Sequence, residues 1–115
     1  HVTILGHPTG RLLLTREPYR IDMDAVLQKA GEVGVAVELN ADPHRLDLDW
    51  RLCHEAKRRG VTIEIGPDAH SVHGLDNMQI GVAMARKAWL EAGDVLNAGD
   101  AESVLAFARA RRDGR

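Results

Sequence analysis

Three short apolar runs rich in β-branched residues, each followed by a loop and then by a helix-like pattern, constrain the fold of this chain most. The runs occupy residues 2–5, 35–39 and 61–65. Runs of this length and composition are typical of buried strands. A strand, loop and helix order that recurs three times requires parallel strands joined by crossovers. The chain is therefore predicted to be an α/β protein.

The segments between these runs carry the pattern of helices. Asp22, Asp49 and Asp100 each precede a segment with apolar residues at helical spacing, and aspartate is a favoured N-cap residue. A further helix is predicted over residues 80–90. The long first loop contains three consecutive leucines, residues 12–14, which we expect to be buried.

Composition narrows the class of protein. A chain of 115 residues suits one domain with one core, and 44% hydrophobic residues exclude disorder. The net charge of −2 gives no overall attraction to a polyanion.

Cys53 is the single cysteine, which excludes an internal disulfide framework and favours the cytoplasm. Because no apolar run approaches the roughly 20 residues of a membrane-spanning helix, no membrane association is expected.

Candidate metal ligands lie in the loops that follow the first and third strands. Such loops carry the chemistry of parallel α/β folds, and they share one face. The first loop offers His7, and the third offers Asp68 and His70, whose side chains point the same way if the backbone is extended. Imidazole and carboxylate together suit Zn, Mn or Fe. The alternative is that these are ordinary turn residues, and three ligands are few for a two-ion phosphoesterase.

Candidate phosphate-binding residues are Arg11, Asn40 and Arg45. Guanidinium groups match phosphate oxygens, and Asn40 ends a predicted strand, where it can orient them. The alternative is that both arginines tie loops together through carboxylates such as Asp42 and Asp47. Three further histidines are predicted to be surface residues: His44, His54 and His73.

Four sequence blocks resemble the PHP domain of bacterial and archaeal family X DNA polymerases. The blocks are ILGHPTGR at 4–11, ELNADPHRLDLDW at 38–50, DAHSVHGL at 68–75 and WLEAGDVLN at 89–97. The blocks extend from residue 4 to residue 97 in the order and spacing of that family, so the resemblance covers nearly the whole chain. The chain departs from the family pattern at Gly66-Pro67 and at Lys87-Ala88, and Pro67 restricts the backbone before Asp68.

The resemblance implies a fold and a function. Residues 1–115 would be the C-terminal portion of a single PHP domain, consisting of the last β/α units of a distorted seven-stranded β/α barrel. Such a domain is a metal-dependent phosphoesterase that acts as a 3′-5′ exonuclease on DNA 3′ ends and is attached to a polymerase. It holds two or three Mn or Zn ions, and His7, Asp68 and His70 match its last three ligand positions. The earlier ligands belong to strands that would precede His1.

Two other functions remain open at this point. One is a stand-alone PHP phosphatase that acts on a small phosphomonoester, of the histidinol-phosphatase type. The other is a folded remnant without catalytic activity. An incomplete barrel exposes a sheet edge, so a homodimer formed through that edge is a further expectation.

Overall fold

The computed structural model describes residues 1–114, and Arg115 of the predicted 1–115 domain portion lies outside the described residues. Its strands are β1 (Ile4–Leu5), β2 (Ala36–Asn40) and β3 (Ile63–Gly66). They form one parallel sheet in the order β1-β2-β3. The predicted α/β class and parallel arrangement are confirmed. Within residues 1–114 the sheet has three strands, so the barrel stays a prediction.

Each strand begins one or two residues later than predicted. The amide of Val35 donates to the carbonyl of Ala30 in the first helix, at 3.0 Å. The amide of Val61 donates in the same way to Ala56 in the second helix, at 2.9 Å. The first apolar residue of each of these two runs therefore closes the preceding helix instead of pairing in the sheet.

Four helices connect and follow the strands. They are α1 (Met23–Val33), α2 (Trp50–Arg58), α3 (Asn77–Lys87) and α4 (Ala101–Arg112). The predicted caps Asp22, Asp49 and Asp100 are confirmed, because each side chain accepts a hydrogen bond from an amide in the first helical turn. None of the helices in the described part of the chain is long and apolar enough to cross a membrane.

The predicted bounds of the third helix, residues 80–90, are wrong at both ends. A 3₁₀ turn over His73–Asp76 runs directly into α3, so the helix begins at Asn77. The helix ends at Lys87, and Trp89 just beyond it has a left-handed backbone with φ of 65°. A left-handed residue stops a right-handed helix.

The core lies between the helices and one face of the sheet. Val37 and Leu39 of β2 and Ile63 and Ile65 of β3 are buried there, beside residues of α1 and α2 such as Leu27, Cys53 and Ala56. Side chains alternate along a strand, so the intervening residues occupy the opposite face. That opposite face is polar and contains Glu38, Asn40 and Glu64.

The expectation that residues 12–14 are buried is wrong. Leu12 and Arg16 pair through two backbone hydrogen bonds, of 2.9 and 2.8 Å, which close a tight turn. Leu14 lies at the tip of this turn with φ of 61° and is fully exposed, and Leu13 is 38% exposed. The turn therefore carries these side chains away from the core.

The two edges of the sheet differ. The side-chain amide of Asn97 donates to the carbonyl of Ile65 at 2.7 Å and accepts from its amide at 3.0 Å, as a neighbouring strand would. Val95 bridges Ile63 beside it, so the outer edge of β3 is covered. Within residues 1–114 the outer edge of β1 is the one without a strand partner. The predicted dimer contact therefore concerns β1 and stays a prediction.

Candidate functional site

A buried carboxylate fixes the first loop against the second at the carboxyl ends of the strands. Asp47 is completely buried and accepts hydrogen bonds from the hydroxyl of Thr9 at 2.8 Å and from the amide of Gly10 at 3.0 Å. The amide of Thr9 also donates to this carboxylate, at 3.1 Å. Sequence reasoning treated Asp47 as an arginine partner, whereas its role in the structure is to hold the loop that carries His7.

His7 follows β1 at the carboxyl edge of the sheet. It has a left-handed backbone with φ of 45°, and its amide donates to the carboxylate of Glu38 at 2.7 Å. Its ring Nδ1 lies 3.3 Å from the side-chain amide nitrogen of Asn40. The other end of that amide accepts from the backbone of Asp42 at 3.0 Å, which fixes its orientation. Asn40 therefore orients the His7 imidazole, a role that sequence reasoning did not assign to it.

Glu38 is a site residue that sequence reasoning missed. An added Cβ at Gly66 would lie 2.8 Å from one Glu38 oxygen, and one at Gly6 would lie 3.7 Å from the other. The two glycines on neighbouring strands thus leave room for this carboxylate beside His7, whose Nδ1 is 3.9 Å away. A glutamate in an otherwise apolar strand run was the sequence feature that could have indicated it.

Glu64 lies beside Glu38 in the parallel register of β2 and β3. Burial, and then the nearby charge of Glu38, raise the pKa of Glu64 to about 6. A carboxyl group with such a pKa exchanges its proton near neutral pH. The polar face of the sheet therefore carries a carboxyl group of raised pKa, Glu64, next to Glu38.

Asp68 and His70 do not have the extended geometry expected of them. Asp68 follows Pro67 with a left-handed φ of 52°, which turns the chain toward α3. The ring of His70 turns back, and its Nδ1 lies 2.8 Å from the backbone oxygen of Asp68. The prediction that both side chains point the same way because the backbone is extended is therefore wrong. The Asp68 carboxylate is paired with Arg45, with 3.4 Å between Oδ2 and Nε.

The two candidate arginines tie the loops together. Arg11 donates to the backbone oxygens of Arg45, at 2.9 Å, and of Leu46, and lies 3.6 Å from the carboxylate of Asp49. Arg45 in turn approaches the backbone oxygen of Arg11 at 3.5 Å and pairs with Asp68. The loop-tying alternative thus describes these contacts, although with carboxylates other than the two expected.

The predicted metal ligands offer suitable donor types in an incomplete set. His7 and Asp68 follow parallel strands on either side of β2, so they lie at the same edge of the sheet. Imidazole and carboxylate fit Mn or Zn. Among residues 1–114, however, no group of three or more His, Cys, Asp or Glu side chains is arranged to hold an ion. An ion at this edge would need further ligands.

A comparison with curated proteins finds a relative that matches nearly the whole chain. By its name, this relative is both a DNA polymerase and a 3'-5' exonuclease. Over 107 residues, 93% of this chain, the sequence is 47% identical to the DNA polymerase/3'-5' exonuclease PolX of Bacillus subtilis (strain 168). The chain spans 19% of the length of that protein. No protein-family model matches. The chain is therefore related to a part of PolX, as the sequence blocks indicated, and the assignment of that part to a PHP domain stays a prediction.

Proposed function

We propose that this chain is the C-terminal portion of a PHP domain and supplies part of a metal-dependent 3′-5′ exonuclease centre of a family X DNA polymerase. The observation that carries the proposal is that His7 and Asp68 follow parallel strands at the same edge of the sheet. Both are non-glycine residues with a left-handed backbone. Such residues are uncommon and concentrate at functional sites. The similarity to PolX of Bacillus subtilis supports the polymerase branch.

In this proposal His7, Asp68 and His70 are ligands of Mn or Zn, in a centre of two or three ions whose other ligands lie outside residues 1–114. Bound ions of this kind polarise a phosphodiester and acidify the water that attacks phosphorus. The chain's own contribution is to hold the donors in place. Asn40 contacts the His7 ring, and Glu38 accepts from the His7 amide.

Arg45 is our candidate for binding the scissile phosphate. Its guanidinium lies beside Asp68, and about a quarter of its side chain remains exposed. A guanidinium in this position exchanges a carboxylate oxygen for a phosphate oxygen with little rearrangement. Arg11 supports it by binding the Arg45 carbonyl. Asn40, the third predicted substrate residue, acts in this proposal through His7.

The partner proposed for this site is a DNA 3′ end, reached within the longer protein, and the compartment is the cytoplasm. The similarity to a polymerase and exonuclease favours this substrate over the small phosphomonoester of a histidinol-phosphatase. One observation favours the non-catalytic alternative for the chain alone: residues 1–114 form no group of three ligands. We therefore propose that activity requires the remaining ligands of the longer protein.

A chimaera tests the proposal. The matching segment of the Bacillus subtilis protein is replaced by this chain, and release of nucleotides from the 3′ end of a labelled oligonucleotide is measured with Mn²⁺. We expect the chimaera to be active. The triple variant His7→Ala, Asp68→Ala, His70→Ala should lose on the order of 100-fold or more, because metal ligands are removed.

The control is a triple variant of the same residue types at nearby positions in the chain. It is His44→Ala, His73→Ala, Asp76→Ala, which changes exposed side chains. This control should retain exonuclease activity, and polymerase activity should persist in both variants as evidence of folding. An exonuclease that survives the loss of His7, Asp68 and His70 would refute the proposal.

A further inference from the structure

A groove away from the predicted metal ligands is lined by Trp50, His54, Lys87 and Trp89, with a volume of about 310 Å³. It runs between the start of α2 and the segment after α3. The chain has two tryptophans, and both line this groove. Large aromatic side chains gathered in an open groove are typical of binding surfaces.

Trp89 is held in place without being buried. Its side chain is 76% exposed, although its backbone carbonyl accepts a hydrogen bond from Lys57 at 2.9 Å. The preceding carbonyl, of Ala88, lies 3.1 Å from Nδ1 of His54, whose ring meets the Trp89 ring edge-on at 6.2 Å. The left-handed backbone at Trp89 is strained, and burial of the indole does not offset the energy of this strain. A flat aromatic surface is therefore left open to a partner.

Cations surround this aromatic surface. The ammonium of Lys87 lies 5.1 Å from the centre of the Trp50 ring, and the guanidinium of Arg51 lies 5.8 Å from it. Lys57 is paired with Asp94, and Arg51 with Asp49. Lys87 makes no ion pair with any residue in the range 1–114. Its charge is therefore available to an anionic partner. Aromatic rings next to cations suit an anion that also carries bases, because bases stack on the rings and the cations contact the phosphates.

The groove is linked to the candidate site by a series of contacts. Trp50 follows Asp49, whose carboxylate lies 3.6 Å from Arg11. Arg11 binds the backbone of Arg45, and Arg45 is paired with Asp68. Trp50 is therefore next in the chain to a residue that contacts the first loop of the candidate site.

We propose that this groove binds unpaired nucleotides of a single DNA strand, with a base stacked on Trp89 and a phosphate near Lys87. The inference rests on the proposed function, because it supplies the strand that leads to the 3′ end. A protein partner is the competing occupant. The cations beside the Trp50 ring, Lys87 and Arg51, favour nucleic acid, since their charges are suited to phosphates.

The test is a titration of the chain with decathymidylate at low salt, followed by intrinsic tryptophan fluorescence. Because both tryptophans line the groove, quenching reports on this surface alone. Affinities of the variants are then measured with a labelled oligonucleotide. Trp89→Ala should weaken binding about fivefold or more, the range expected for one stacked base, whereas Trp89→Phe should keep most of the affinity. Lys87→Gln should weaken binding and reduce its salt dependence.

Two controls separate this inference from the proposed function. Lys29→Gln, an exposed lysine of α1, should leave DNA binding unchanged. The titration is also made with a metal chelator present, which should leave binding unchanged, because binding in the groove does not need the proposed metal centre. A folded chain whose fluorescence is not quenched by decathymidylate, or whose affinity survives both Trp89→Ala and Lys87→Gln, overturns the inference and leaves the groove to a protein partner.

Discussion

Arg45 and Asp68 form an ion pair across two loops, with 3.4 Å between Nε and Oδ2 and about a fifth of each side chain exposed. The pair joins a proposed phosphate-binding residue to a proposed metal ligand. A guanidinium and a divalent cation compete for the same carboxylate oxygens.

Arg45→Gln is therefore expected to tighten Mn²⁺ binding about fivefold, corresponding to the roughly 1 kcal/mol of a partly exposed ion pair. Isothermal titration calorimetry of the chimaera with the Bacillus subtilis protein, which supplies the remaining ligands in our proposal, measures this directly. Arg58→Gln, which removes an exposed arginine from a pair with Glu55, serves as the control. Unchanged or weaker Mn²⁺ binding in Arg45→Gln would contradict the competition.

The buried carboxylate of Asp47 should be the most sensitive position of the loops. Asp47→Ala leaves two backbone amides and the Thr9 hydroxyl without their acceptor, so we expect the free energy of unfolding to fall by about 3 kcal/mol. Thr9→Val, which removes only the hydroxyl, should cost about 1 kcal/mol. Urea denaturation measures both. Asp76→Ala, which changes an exposed side chain, should alter the free energy of unfolding by less than about 0.5 kcal/mol. An effect of Asp47→Ala as small as that of Asp76→Ala would show that Asp47 does not hold the loop.

The raised pKa of Glu64 predicts a pH dependence of stability. Because the folded state holds this proton more tightly than the unfolded state, its stabilising contribution is present below the ordinary glutamate pKa of 4.5. It is lost as the pH rises through the folded value of about 6. Glu64→Gln should therefore stabilise the protein at pH 8 relative to the parent and have a smaller effect at pH 4.

Thermal unfolding of both proteins across this pH range measures the difference in stability between variant and parent. The other titrating groups contribute nearly equally to both proteins, so their effect largely cancels in this difference. The matched control is Glu17→Gln, which changes an exposed glutamate. A Glu64→Gln variant whose stability relative to the parent is the same at pH 4 and pH 8 would show that Glu64 titrates normally.

Gly81 sets the distance between α3 and the sheet. A Cβ at this position would lie 2.5 Å from the Ile65 side chain and 2.9 Å from that of Ala41. Gly81→Ala should therefore destabilise the protein by about 1 to 2 kcal/mol, since overpacking outweighs the better helix propensity of alanine. Gly93→Ala, where nothing lies within 4 Å, should be close to neutral. Chemical denaturation of the two variants tests this, and equal stabilities would exclude close packing at Gly81.

The order of the elements was predictable because it depends on local sequence patterns. Apolar runs marked the three strands, and Asp22, Asp49 and Asp100 marked helix starts through hydrogen bonds to amides in the first turn. The strand starts were less accurate. Val35 and Val61 have strand-like side chains, but their amides complete the preceding helices. Local composition does not distinguish these two uses of a valine.

The loops were not predictable, because their geometry depends on contacts between distant residues. The conformation of the first loop depends on Asp47, which binds Thr9 from 38 positions away. The left-handed backbone at Asp68 overturned the expected extended geometry, and Pro67, which restricts the backbone there, did not indicate its direction. Glu38 was overlooked for the same reason, since its proximity to His7 follows from the pairing of β1 with β2.

The central claim is that His7, Asp68 and His70 bind a divalent ion. Paramagnetic broadening by Mn²⁺ tests it most directly, because the ion broadens the nuclear magnetic resonance signals of nearby nuclei. With substoichiometric Mn²⁺ added to the chimaera with the Bacillus subtilis protein, which supplies the remaining ligands in our proposal, we expect the ring signals of His7 and His70 and the amide signal of Asp68 to broaden first. The ring signals of His44 and His54 should persist. Broadening that begins at His44, or that spares His7 and Asp68, would contradict the proposed site.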